Sequence, residues 1–264
     1  MIASRDGNGW RLITQPAHAW LAGELAYAWG NQTFKVPSPF EAVTLATRLH
    51  DIGWLKLDAA PRLGEDGQPV NFIETTLDET APIWQRAVRH VSLIDPYAAI
   101  LVSMHASTIY RRRLERGADP PEKRSEVKAL AAEQVAVQER LGSFLADHPI
   151  YGPVVAPKKL TTAYRWLRAC DLLSLVLCSD VMASSGVIEA FQGDESEEIV
   201  QIHYERPRLF EVHLDPSPFT ELNLEITIQT RTLTSDTFDS QENYQAELAK
   251  AQWVPQGVTI SPHR

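Results

Sequence analysis

The amino-acid sequence predicts a mainly α chain: a helical bundle followed by a small C-terminal antiparallel β subdomain, an α+β appendage. Three observations predict it. From Gln15 to about Ala183, apolar residues recur at helical spacing in long segments. Beyond Ser184 the pattern shifts to β-type alternation. Gly, Pro and Asp clusters punctuate the joints between segments. The expected division is a helical domain over residues 1–184 and a β-rich subdomain over 185–264 packed on it.

Gly9 to Thr14 (GWRLIT) reads as a short strand or lead-in. Gln15-Pro16 then opens a helix that stops at Gly30, with His18 in its first turn. Pro37-Ser38-Pro39 starts a second helix, FEAVTLATRLHDIGWLKLD, with Ala42, Leu45, Ala46 and Leu49 on one face and His50-Asp51 towards its end. Residues 60–71 are dense in Gly, Pro and charge and form a loop suited to shaping a site entrance. Helical patterns resume at TAPIWQRAVRHVSLI, and Asp95-Pro96 reads as a cap followed by Pro at the first position of the next helix. His90 and His105 fall on these two helices.

A charged amphipathic helix over about 121–147 reads as peripheral packing. The apolar helix LTTAYRWLRACDLLSLVLCSDVMA follows and belongs at the centre of the bundle, with Asp171 embedded in it. IVQIHYE, LFEVHLD and LNLEITIQTRTL are then three expected strands, and QENYQAELAKAQW a short helix before a final strand at GVTIS. The β segment is expected to cover the site or to make a homodimer contact.

The 264 residues are 44% hydrophobic and 22% charged, enough for a substantial core. A formal charge of -9 repels phosphate backbones, which disfavours a nucleic-acid polymer as partner. The first residues carry Arg5 and Asp6 and no long apolar run, so a cytoplasmic protein without membrane association is expected. The two cysteines, Cys170 and Cys178, share one helix at a spacing that cannot be bridged, and no thiolate metal motif exists. A metal here has to be held by nitrogen and oxygen.

Those donors stand in the order H18-x31-H50-D51-x38-H90-x14-H105-x65-D171, on expected helices and mostly among apolar residues. A His-Asp dipeptide alone says little. Several imidazoles and carboxylates in apolar surroundings need a shared partner, and a metal cluster satisfies them together. Three arginines sit at helical offsets from these residues: Arg86 four before His90, Arg112 seven after His105, and Arg168 three before Asp171. They are candidate contacts for a substrate phosphate, although Arg111-Arg112-Arg113 also suits a helix C-terminus for dipole reasons.

The pattern resembles the HD superfamily of metal-dependent phosphohydrolases over about residues 16–180, and within it an uncharacterised bacterial family. The resemblance implies an HD-domain-like bundle. It implies that His18, His50, Asp51 and Asp171 hold one divalent ion, and that Asp51 bridges to a second held by His90 and His105. The expected ions are Fe or Mn, with Zn, Co, Ni or Mg also compatible. His50 and Asp51 are the expected catalytic pair, and the substrate a small phosphorylated molecule attacked by a metal-bridging hydroxide.

Two alternatives share this architecture: a di-iron oxygenase of the same ligand order, and a non-catalytic metal-binding regulatory protein. His50-Asp51-Ile52-Gly53 is followed by Trp54 rather than the Lys of cyclic-dinucleotide phosphodiesterases, and His105 by Ala106-Ser107, which argues against that substrate class. His148, His203, His213 and His263 read as structural or exposed, Asp180 as a helix-end polar residue, and Trp29 and Trp54 as packing residues.

Overall fold

Seven strands join into one curled mixed sheet, a half-barrel, in the computed structural model, which describes residues 1–191 and 199–263. The N-terminal hairpin begins it. Strands β1 (Ile2–Asp6) and β2 (Gly9–Ile13) pair antiparallel with Asp6 opposite Gly9, and Gly7 turns the chain at φ +60°. Strand β2 then pairs with β6 (Leu224–Leu233), from the opposite end of the chain. Strands β3 (Ser185–Phe191), β4 (Ile199–Arg208), β5 (Glu211–Asp215) and β7 (Trp253–Pro262) complete the order β1-β2-β6-β7-β5-β4-β3. The β5–β7 pairing is parallel and the others are antiparallel.

The expected mainly α, HD-like bundle with a small antiparallel appendage is therefore not what this chain forms. About 52% is helix and 22% strand. The physical reason lies in pairing. Strand β1 is a five-residue segment ending in Arg5-Asp6, with too little alternation to announce itself; it is held by β2 and by Asn71, whose Nδ2 donates to the Ala3 carbonyl at 2.8 Å. The β5–β7 pairing, with β6 and a helix between the two in sequence, makes the sheet mixed, and no local pattern encodes it.

The helices are α1 (Gln15–Ala28), α2 (Phe40–Leu49), α3 (Leu55–Ala59), α4 (Leu77–Ser92), α5 (Pro96–Arg116), α6 (Arg124–Leu145), α7 (Pro157–Cys178) and α8 (Gln241–Lys250). Their starts follow cap chemistry. The Thr14 hydroxyl accepts from Ala17 N, Thr76 and Glu79 make a capping box, and Asp95 accepts from Ala98 N at 2.8 Å. Leu21, Leu25, Ile100, Leu167 and Leu177 share one core with Ile202, Val212, Ile228 and Ile260 of the sheet, so one face of the sheet closes the bundle. The opposite side of the sheet buries Trp10 and Leu233 against Phe238, Tyr244 and Leu248 around α8.

Helix α6 lies outside, burying Val127, Gln134 and Leu145. Its Gln134 carbonyl accepts from the Ser103 hydroxyl at 2.8 Å, which docks it on α5. The 60–71 loop bonds partly within itself, Val70 N donating to Arg62 O, and partly to the C-terminal segment, Leu63 N donating to Gln241 Oε1 and Phe238 N to Gly67 O. Among the described residues, no helix is long and apolar enough to cross a membrane.

Candidate metal centre

His18 stands in the first turns of α1, after Thr14 and Pro16 have fixed the helix start. It is buried. Its Nδ1 lies 2.7 Å from the Ser174 hydroxyl, which itself donates to the Asp171 carbonyl at 2.8 Å. Because the hydroxyl hydrogen is spent on that carbonyl, Ser174 accepts from Nδ1–H, and the neutral His18 ring turns an Nε2 lone pair inward.

The predicted helix through His50-Asp51 breaks at these residues. Helix α2 ends at Leu49, and a single 3₁₀ turn, Ile52–Trp54, leads into α3. His50 Nδ1 donates to the Thr47 carbonyl at 2.7 Å, satisfying a C-terminal backbone group and leaving its Nε2 also facing inward. Two close approaches allow this layout. A Cβ on Gly23 would lie 2.6 Å from Arg48 Cβ, so α1 and α2 cross tightly just before His50. A Cβ on Gly53 would lie 2.0 Å from the Ile83 carbonyl oxygen, so the turn after Asp51 rests directly on α4.

Asp171 comes from the middle of α7 and meets this group across the core. His18 Nε2 is 3.5 Å from Asp51 Oδ2 and 3.3 Å from Asp171 Oδ1. His50 Nε2 is 3.5 and 3.4 Å from the same two oxygens. Two nitrogens and two oxygens, from three helices and a turn, thus stand at four short separations from one another. Ligands about 2.1 Å from a shared ion stand at most about 4.2 Å apart, so each of these four separations can be spanned by one cation. Two imidazole nitrogens and two carboxylate oxygens also form a chemically suitable set for a divalent transition metal.

His105, on α5, is buried beside the quartet. Its donor atom lies within 4.8 Å of those of His50 and Asp171. Its ring packs edge-on against His50 at 5.0 Å, Trp84 at 5.4 Å and Tyr164 at 6.2 Å between centroids. The buried Nδ1 of His105 has no hydrogen-bond partner among the described residues.

The protonation pattern follows from this crowding. Burial disfavours charge on His50, but the Asp51 charge and the Asp171 carboxylate overcome it and raise the imidazole to about 9. His18 is raised for the same reason, burial being outweighed by hydrogen bonding to Asp171 and Asp51. Asp171 sits well below the usual carboxylate range despite its burial, because His18 and His50 point at it, and Asp51 is lowered likewise. Burial pushes His105 down to about 4, so it is neutral at physiological pH. Without a cation, protons on His18 and His50 supply the positive charge that the two carboxylates demand.

Of the six ligands expected from sequence, the fold brings five together and leaves one outside. His90 is exposed on α4, among neither of the two candidate ligand groups in the described residues. Its place at the end of an amphipathic helix explains this: Ile83, Trp84, Ala87, Val88 and Val91 take the inward face. Arg86 is not turned to a substrate either. Its Nε and one terminal nitrogen donate to the Gly53 carbonyl at 3.4 and 3.2 Å, pinning the turn that carries Asp51.

Arg112 is exposed and Arg168 half-buried, and both act electrostatically on Tyr164. Neither makes an ion pair or hydrogen bond with a described residue. Sequence reading missed Ser174 and Tyr164. Ser174 is three residues after Asp171 and so shares its helix face, a spacing that could have pointed to it. Asp180 is exposed and accepts from Arg5 N at 3.0 Å, a polar residue just past the helix end as expected. Cys170 and Cys178 are buried and unpaired.

Comparison with curated proteins and with solved structures gave no match. A family model does match residues 1–235, from the N-terminal hairpin through all four quartet residues to the end of β6. With most of its length covered, the chain belongs to the family described as Protein of unknown function (DUF3891).

Proposed function

We propose that this chain is a metal-dependent phosphohydrolase acting on a small phosphate ester or nucleotide, with one divalent cation held by His18, His50, Asp51 and Asp171. The observation that carries the reading is the inward-facing quartet, whose nitrogens and oxygens stand 3.3–3.5 Å apart. The two-cation arrangement needs His90, which stands on the outer face of α4, so a single cation is proposed. The same fact removes the ligand set on which a di-iron oxygenase would rest.

A bound cation would polarise a phosphoryl oxygen and bring the pKa of a water near neutrality. The chain supplies the rest. Ser174 and the Thr47 carbonyl fix the two imidazole tautomers so that lone pairs point inward. Two carboxylates and two neutral imidazoles leave a divalent site electrically neutral, so it does not repel an anionic ester. His105 is neutral and adjacent, its donor atom within 4.8 Å of those of His50 and Asp171, so it would offer a nitrogen to the cation or to a water beside it without carrying charge. Arg168 and Arg112 supply positive charge on the outward side. The chain's charge of -9 favours small substrates over polymers, and two buried unpaired cysteines suit the reducing cytoplasm.

Elemental analysis of protein purified without added metal, beside His50→Ala and Asp171→Asn, tests the reading. About one equivalent of a transition metal in the parent, lost in both variants, with metal-dependent phosphate release from a panel of esters, is the expected result. Absence of metal after reconstitution, or a loaded protein inert across the panel, refutes it.

A further inference from the structure

The quartet accounts for where a phosphoryl group would react, but not for what the rest of the substrate would touch. Helix α7 offers a second face for that. Beside the sheet, a cavity of about 270 Å³ lies between α7 and the β3–β4 hairpin, lined by Arg165, Arg168 and Leu172 on one side and Ile188, Ala190 and Ile199 on the other. Leu172, Ile188 and Ala190 give it apolar surface, and two guanidinium-bearing residues stand on its helical wall. Four consecutive residues of β3, Val187 to Ala190, line it, as happens when a cavity runs along a strand edge; β3 is the last strand of the sheet. Edge backbone groups can then serve as additional hydrogen-bond donors and acceptors.

Arg168 links this cavity to the metal centre. At about 100° per residue, it lies about 60° around α7 from Asp171 on one side and about 60° from Arg165 on the other. Its guanidinium is half-buried and makes no hydrogen bond or ion pair with a described residue. A half-buried cation without a counterion among the described residues is poised to take an anion. The cavity is near the lower limit for small-molecule sites, about the size that suits a single ring.

We infer that this cavity is the subsite for the organic group of the substrate, and that Arg168 binds the phosphate at the junction between cavity and metal centre. The inference rests on the phosphohydrolase reading for the reacting group. It narrows the substrate class to phosphate esters of an apolar, ring-sized organic group, and it gives the sheet a role in selectivity. Glu189 and Gln201 at the cavity wall provide the polar contacts that orient such a group.

Calorimetric titration of the metal-loaded protein with phenylphosphonate and methylphosphonate, neither of which is hydrolysed, tests it. The phenyl compound should bind at least tenfold tighter than the methyl compound. Val187 is 41% exposed and Gln201 is exposed, so Val187→Trp and Gln201→Trp can obstruct the cavity without disturbing the core. In both variants the phenyl advantage should fall below twofold, and Arg168→Gln should weaken both compounds about tenfold or more. Equal affinities in the parent, or a phenyl advantage that survives both obstructing variants, overturns the subsite, as does failure of the parent to bind either compound. A parent protein that takes up no metal yet shows a phenyl preference that vanishes on obstruction would uphold the cavity while removing the metal-dependent reading.

Discussion

Raising the pH from 7 to 8 should tighten metal binding about tenfold, because the cation has to displace a proton from His50. In the metal-free protein the Asp51 charge and Asp171 hold His50 up at about 9, so the imidazole is charged at pH 7. A metal needs its Nε2 lone pair. Each proton released makes the logarithm of the association constant rise by about one per pH unit, or about 1.4 kcal/mol, until pH passes His50's own value. His18 is raised too and steepens the slope wherever it also titrates. Asp51 and Asp171 are ionised throughout this range and contribute nothing to it. Competition against a chromophoric chelator from pH 6 to 10, corrected for the chelator's own protonation, reads the slope directly. Calorimetry in buffers of different ionisation enthalpy counts the protons. Affinity independent of pH between 7 and 8, with no proton released, would refute the reasoning and show that His50 is not a ligand.

The metal-free protein should in turn lose stability as pH rises: a His raised from 6.5 to about 9 contributes fully below 6.5 and not above 9, about 3 kcal/mol at most, measurable by urea unfolding at pH 6 and 10. Ser174→Ala removes the group that orients His18, and metal affinity should fall about 10- to 100-fold with the far-ultraviolet circular dichroism unchanged. Gly53→Ala drives a methyl into the Ile83 carbonyl, costing about 3 kcal/mol or more in unfolding free energy and loosening metal binding with it. His90→Ala should leave metal content intact and stability within about 0.5 kcal/mol; loss of an equivalent of metal would restore a second cation.

His18, His50, Asp51, His105 and Asp171 were legible in sequence because buried ionisable groups in apolar helices have few reasons to exist, and a shared ion is one of them. His90 looked equivalent only because its helix position was unknown. Which face of α4 turns inward is decided by Ile83, Ala87 and Val91 together, and their packing leaves His90 in solvent. Arg86 illustrates the same limit: an offset of four residues put it beside a presumed ligand, whereas the close contact of the Gly53 turn with α4 gives it a carbonyl to hold.

The capped starts of α1, α4 and α5 and the period-two strands β4, β5 and β6 were written locally, in Thr14, Thr76, Asp95 and the alternation of IVQIHYE, because caps and amphipathic faces depend on neighbours along the chain. The sequence by itself therefore determined five of the candidate donors, the net charge of -9 and the type of most elements. Tertiary structure decided that β1 and β2 join β6, that β5 and β7 run parallel, and that α7 presents Asp171 to one neighbour and Arg165 to another. Those outcomes depend on contacts between residues far apart in the chain, whose energies no local pattern of residues contains.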